Sequence, residues 1–181
     1  MTSLVLAKGD LAPKLSLLAH TGATFELSSE PKTKRTLIVF FRFAGCPFCN
    51  VHVHLLMERH AELERAGVRV IGVFGSSIDA IRERVAQQAP PFALLADPDD
   101  AAHAAWGATH DSTLGIMDPR NVKVLPSLWS VRSTTSLGRT DGKLVRMPAD
   151  FVLDEHLRVI VAHYGHYPAD HLTIEDVISA A

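Results

Sequence analysis

Cysteine and an excess of either charge are what this chain most conspicuously lacks. Only two of its 181 residues are cysteine, too few for the bridged framework of a small secreted domain. Lys and Arg number 18 against 20 Asp and Glu, and a net charge of −2 excludes a strongly basic nucleic-acid binder and an acidic disordered tail. No window approaches the roughly 18 to 20 consecutive apolar residues of a membrane span. The opening Met1-Thr-Ser-Leu-Val-Leu-Ala-Lys8 has no basic lead and too short an apolar run for a secretory signal. Glycine-rich phosphate loops are missing, so nothing supports nucleotide binding. Internal repeats and low-complexity tracts are missing too. What is present is 47% hydrophobic residues, and at this length folding buries about 70% of the chain's surface. The expectation is a cytoplasmic globular protein with one domain over residues 1–181, binding neither nucleic acid nor membrane.

Strand and helix patterns alternate, which favours an α/β sandwich around a mostly parallel sheet. Residues 14–27 alternate weakly about His20-Thr-Gly-Ala23 and predict a marginal hairpin. Thr36–Phe43 is a continuous apolar run rich in β-formers, the mark of a central strand covered on both faces. Cys49, Val53, Leu56, His60 and Leu63 then follow the spacing of one helix face, and Gly67 supplies the stop. Val68–Phe74 predicts the next buried strand, completing a βαβ unit. Ser76 or Ser77 caps a second helix over Ile78–Gln88, ended by Pro90-Pro91. A short strand at Phe92–Leu95 precedes an Ala-rich helix ending at Trp106-Gly107. Residues 108–147 lack clear periodicity and read as an insertion. Asp150–Leu153 and Leu157–His163 predict an antiparallel hairpin, and Thr173-Ile-Glu-Asp176 a capping box opening the last helix.

The strong motif is Cys46-Pro47-Phe48-Cys49, at the end of a buried strand and the start of a long helix. First-turn N–H groups and the helix dipole stabilise a thiolate there and lower its pKa. Two intervening residues bring the sulfurs within disulfide reach. Pro47 falls at a first-turn position where its missing N–H costs nothing. Cys46, at the helix tip, is then the exposed attacking thiol. Cys49, deeper on the face of Val53 and Leu56, resolves a mixed disulfide or sulfenic acid formed on Cys46. Arg42, four residues upstream, adds positive potential.

Other chemistry fits these residues less well. A C-x-x-C can be half of a zinc site, but zinc takes four ligands and no further cysteine exists. His52 and His54 point to different helix faces. An inert core pair is the bland alternative. His163, His166 and His171, with Asp170, read as solvated loop and strand-end groups that share no face. No metal ligand and no cofactor is assigned. Trp106, Trp129 and the apolar insertion either cover the dithiol, form a homodimer contact or pack into the core.

The strand, CxxC and helix unit, with Met147-Pro148 before a hairpin, resembles the thioredoxin fold. That likeness implies a central mixed β-sheet flanked by helices, the insertion preceding Pro148, and Pro148 as the cis-proline facing the dithiol. More closely, the chain resembles the peroxiredoxin-like branch of the alkyl hydroperoxide reductase/thiol-specific antioxidant group. The matching stretches are Phe41-Arg-Phe-Ala-Gly-Cys-Pro-Phe-Cys49, Phe92-Ala-Leu-Leu-Ala-Asp-Pro98, Pro148-Ala-Asp-Phe-Val-Leu-Asp154 and Ala162-His-Tyr-Gly165. The pair Asp170-His171 adds to the likeness. It implies a thiol-dependent oxidoreductase reducing peroxides or disulfides, reset by a thioredoxin-, glutaredoxin- or glutathione-type thiol. Typical members use Pro-x-x-x-Thr-x-x-Cys and a distant Arg to orient the peroxide. Counting from Cys46, those first two positions hold Val39 and Phe43; counting from Cys49, Arg42 and Cys46. Neither register has the Pro or the Thr, and Arg146 is the candidate for the arginine at a shifted offset. The residues set to position a substrate are therefore Pro47, Phe48, Arg42, Arg146 and Pro148. A metal-binding protein or a non-catalytic interaction module on the same fold is the alternative.

Overall fold

The computed structural model describes residues 5–124, 126–127 and 140–180. Seven strands form one sheet in the order β2-β1-β5-β4-β3-β6-β7. The strands are β1 (Ser16–Ala19), β2 (Thr24–Glu26), β3 (Arg35–Phe41), β4 (Val68–Phe74), β5 (Ala93–Ala96), β6 (Ala149–Asp154) and β7 (Val159–Tyr164). Only β3–β4 and β4–β5 pair in parallel; the other four pairings are antiparallel. The sheet is thus mixed rather than mostly parallel: the hairpins β1–β2 and β6–β7 are antiparallel by construction, and each also joins the parallel centre antiparallel, at β5 and at β3.

Strand β3 is central and explains the two-sided core. Its side chains alternate, with Leu37, Val39 and Phe41 facing one layer and Ile38 and Phe40 the other. The first layer packs helices α1 (Pro47–Glu58), α2 (His60–Arg65), α3 (Ile78–Arg84) and α6 (Ile174–Ser179). The second packs α4 (Ala101–Ala105) and the β1–β2 hairpin. Trp106 belongs to that second core, against Phe40 and Phe151, so it does not cover the dithiol. Trp129 lies outside the described residues.

The long helix expected after the motif breaks at Arg59 into α1 and α2, yet the periodicity holds across the break. Cys49, Val53, Leu56 and Leu63 are all fully buried on one face. Gly67 then ends α2 with φ of +74°, a conformation that disfavours any Cβ. Ser77, not Ser76, caps α3, which stops at Arg84 and passes into a 3₁₀ turn at Ala86–Gln88. Thr173 and Asp176 form the expected capping box on α6.

The excursion from 108 to 147 begins and ends at one place. Asp111 and Arg146 form an antiparallel bridge, flanked by Ser112 N–H on Val145 O (2.7 Å) and Met147 N–H on His110 O (2.8 Å). Between them stand α5 (Thr113–Ile116) and a 3₁₀ segment at Pro119–Val124. Among the described residues no peptide bond is cis. The cis assignment of Pro148 is therefore corrected: its bond is trans, the form most X–Pro bonds take. Its carbonyl accepts from Gly165 N–H at 2.9 Å, tying β6 to the end of β7. No helix among the described residues is long and apolar enough to cross a membrane.

Candidate active site

The motif falls where β3 hands over to α1. Cys46 is the N-cap, Pro47 the first helical residue, and the Cys46 sulfur accepts from Cys49 N–H at 3.4 Å. The turn before it is locked by two buried polar side chains. Ser76 Oγ accepts from Ala44 N–H at 2.8 Å. Asn50 Nδ2 donates to Ala44 O at 2.8 Å and to Cys46 O at 2.9 Å. Asn50 Oδ1 in turn accepts from Gln88 at 2.9 Å. The sequence signals missed both roles: Ser76 read as a helix cap and Asn50 was passed over, although its place on the buried face beside Cys49 was the available signal.

Arg42 supplies the electrostatics. It is 4% exposed, and its Nη1 donates to Cys46 Sγ at 3.4 Å. Its Nη2 donates to Leu144 O. Among the described residues no carboxylate pairs with it. A buried guanidinium needs an anion nearby, and the sulfur of Cys46 is the group that can become one.

The two thiols respond in opposite directions. Burial opposes ionisation of Cys46, but hydrogen bonding from the Cys49 thiol, the Arg42 charge and the N–H groups of Cys49 and Phe48 outweigh it, bringing its pKa down to about 7. Burial, donation to Cys46 and the Cys46 charge push the Cys49 thiol well above its ordinary range. Both are free thiols. The pair is thus one ready nucleophile and one held in reserve.

One expectation is overturned. Cys46 is fully buried, not exposed at the helix tip. The cap position fixes its backbone, but the surrounding packing buries the sulfur, and residues 140–147 lie against the turn that carries it, at Arg42 and Phe43. Arg84 pairs with Asp141 at 3.2 Å and Lys143 with Asp100 at 3.0 Å, while Arg42 holds Leu144 O. A β-carbon on Gly142 would come within 2.7 Å of Phe43 Cβ, so this strap is in close contact with the turn. Arg146 is drawn into the same clamp: it is buried and paired with Asp100, so its charge is neutralised there rather than at the sulfur. Gly75 lets this layer close, since a Cβ there would meet Arg42 O at 2.9 Å. Of the positioning candidates, Arg42 and Pro47 stand at the dithiol. Phe48, half-buried, follows them in the first turn of α1, whereas Arg146 and Pro148 are engaged elsewhere.

The histidines also depart from expectation. His171 is not solvated: its side chain is 3% exposed and its Nδ1 lies 2.9 Å from Asp150 Oδ1, on the fully covered face of β6. Its ring stacks on His52 with centroids 3.8 Å apart and planes 9° from parallel. Asp150, a carboxylate inside an apolar strand, was the sequence signal that a buried partner must exist. His163 and His166 do lie nearer solvent, both held to Asp170. Among the described residues only Asp97, Asp100 and His103 are grouped closely enough for a metal ion. Asp100 is already held by Arg146 and Lys143, and Asp97 by His103, so that cluster is an ion-pair network.

Comparison with known proteins agrees with this picture. The AhpC/TSA family matches residues 8–162. Peroxiredoxin Bcp of Escherichia coli is 25% identical over 156 residues, covering 86% of this chain and 94% of that protein. Among solved structures, peroxidoxin BcpB of Mycobacterium tuberculosis superposes with a TM-score of 0.67 at 15% identity, covering 91% of this chain and 90% of the other. Peroxiredoxin Q of Xanthomonas campestris does so with a TM-score of 0.62 at 18% identity, covering 98% and 92%. The structural likenesses establish the thioredoxin-like fold.

Proposed function

The chain belongs to the AhpC/TSA family, and on that premise we propose that Cys46 is the sulfur that attacks a peroxide and Cys49 the one that resolves it. The protein is a thiol-dependent oxidoreductase of peroxiredoxin-like type, and the metal-binding and non-catalytic alternatives lose their support. The observation that carries the residue assignment is the buried Arg42 guanidinium, whose partner in reach of a negative charge is the Cys46 sulfur.

The chemistry balances on these two sulfurs. The Cys46 thiolate attacks the terminal peroxide oxygen; an S–O bond forms, the O–O bond breaks, the peroxide's proton stays on the oxygen now bound to sulfur, and the leaving alkoxide or hydroxide takes a proton from water. Two electrons have left the sulfur, which is now a sulfenic acid. Cys49 attacks that sulfur, and water departs with the thiol proton as the S–S bond forms. An external dithiol, or two monothiols, then returns both electrons. The reductant is read as thioredoxin-, glutaredoxin- or glutathione-type, and the reaction is placed in the cytoplasm, where such thiols are kept reduced. The reading treats residues 1–181 as one domain. It includes a second copy of the chain as partner, with the exposed Leu114 and Met117 as the contact to test by oligomeric state in solution.

Steady-state turnover with hydrogen peroxide, an organic hydroperoxide and a protein disulfide separates the substrate classes. Turnover of either peroxide, abolished in Cys46→Ser, is the expected result. Full peroxide turnover by Cys46→Ser would overturn the assignment.

A further inference from the structure

His103, on α4, is fully buried, and both edges of its ring are engaged. Nδ1 lies 2.7 Å from Asp97 Oδ2, and Nε2 lies 3.1 Å from the Phe41 carbonyl oxygen. A carbonyl oxygen only accepts, so Nε2 carries a hydrogen and donates it whatever the charge on the ring. Asp97 sets the ring's orientation. Its carboxylate also accepts from the N–H groups of Ala102 at 3.1 Å and His103 at 2.8 Å, and its own N–H donates to Phe74 O at 2.9 Å. The second carboxylate nearby is Asp100, within 4.8 Å. The Phe40 ring packs against His103 edge to face, with centroids 5.0 Å apart.

Phe41 is the last residue of β3, directly before Arg42. The pairing of β3 with β6 stops one residue earlier, at Phe40 and Ala149, and the next residue in register, Pro148, has no N–H to offer. A side chain supplies the donor instead. The Phe41 carbonyl and the Arg42 amide belong to one rigid peptide plane, so holding that oxygen fixes the direction in which Arg42 leaves the strand. The far end of Arg42 leads back to the same segment. Its Nη2 donates to Leu144 O, and the flanking Lys143 and Arg146 are both held by Asp100. Residues 97–103 thus grip Arg42 at its backbone and, through residues 143–146, at its guanidinium.

We propose that His103 is a positioning residue for the thiol chemistry: by donating to the Phe41 carbonyl it holds Arg42 where its guanidinium meets the Cys46 sulfur. The inference rests on the reading of Cys46 as the reactive thiol. His103 acts through Phe41 and Arg42, not on the sulfur itself.

Thiolate absorbance of the reduced protein, followed against pH, measures the consequence without any peroxide. Cys46 faces Arg42 and Cys49, so a displaced guanidinium raises its titration midpoint. His103→Leu fills the space without a donor. It is expected to move the midpoint up by about half a unit to one unit, part of the shift that complete loss of a contacting charge gives. His103→Gln places an amide N–H where ring Nε2 stood and is expected to restore the midpoint, although the Asp97 pairing is lost. If His103→Leu does not fold, His103→Asn, whose amide ends too near the backbone to reach Phe41, replaces it in the comparison. In the native protein, NMR is expected to show a proton on His103 Nε2 that exchanges slowly with solvent. An unmoved midpoint in the variant without the donor, a shift as large in His103→Gln, or an Nε2 without a proton each overturns the proposal. Absent peroxide turnover with these titrations as expected would remove the peroxidase reading and leave the positioning role intact.

Discussion

Arg42 and Cys46 face each other at 3.4 Å inside the protein, cation against sulfur, four residues apart across the turn from β3 to α1. The pairing lets burial and ionisation coexist: the guanidinium would be stranded without the thiolate, and the thiolate would be suppressed without the guanidinium. With the thiol titrating near 7, peroxide reactivity is expected to rise with pH through about 7 and to fall tenfold per unit well below it, because the thiolate is the reactive form. Replacing Arg42 by Met removes a charge in contact, which moves such a pKa by about one to two units upward. At pH 7 the rate with hydrogen peroxide should then drop roughly five- to fiftyfold, and the midpoint of the pH profile should move up by the same one to two units. An unmoved midpoint would assign the thiolate to the Cys49 thiol and the helix terminus instead.

The cysteines should fail in different ways. Cys46→Ser is expected to consume no peroxide. Cys49→Ser is expected to complete one oxidation and stop, leaving a sulfenic acid that a selective trapping reagent captures and mass spectrometry detects. Capture on Cys49 in the Cys46→Ser protein would reverse the two roles.

Ser76 and Asn50 hold the turn from beneath. Ser76→Ala leaves the Ala44 N–H without its 2.8 Å partner in a buried site, which costs about 1–3 kcal/mol of stability. Asn50→Ala frees two carbonyls at once and should fall in the same range or above it. Urea denaturation of the reduced protein measures both. A change within experimental error would mean that water replaces the lost groups.

His52 makes the fold acid-sensitive. Burial, and the neighbouring His171, lower its pKa from 6.5 to about 3, with Asp150 opposing. Between those values the unfolded chain carries a proton that the folded one does not, so stability falls as pH falls, by about 1.4 kcal/mol per pH unit from this residue. His20, lowered mainly by burial, adds a contribution of the same sign. His52→Phe should flatten the slope between pH 6 and about 4.5, above the carboxylate range, while retaining the His20 share. Parallel slopes for the two proteins would rule out a buried neutral His52.

Most of the fold was legible because its signals are local and periodic. The apolar run of β3, the cysteine-to-Leu63 helix face and the Thr173 capping box each declare themselves within a few residues. The dithiol was legible for the same reason: strand, turn, CxxC and helix are contiguous. What escaped is what sequence distance hides. Ser76 meets Ala44 across 32 positions, and His171 meets Asp150 across 21. Each is decided by strand register rather than by neighbours in the chain. The burial of Cys46 escaped because tertiary packing decides it, and the segment packed against its turn, residues 140–147, lies about a hundred positions downstream.

A sulfur that is ionised yet walled in separates two quantities usually measured as one. The fraction of thiolate at Cys46 is an equilibrium property of the closed protein, set by the Cys49 thiol, Arg42 and the helix cap against the cost of burial. The speed with which a bulky alkylating agent finds it depends instead on how often the packing around it opens locally. Small oxidants and large electrophiles will therefore rank this cysteine differently, and a survey based on alkylation alone would pass it over as inert.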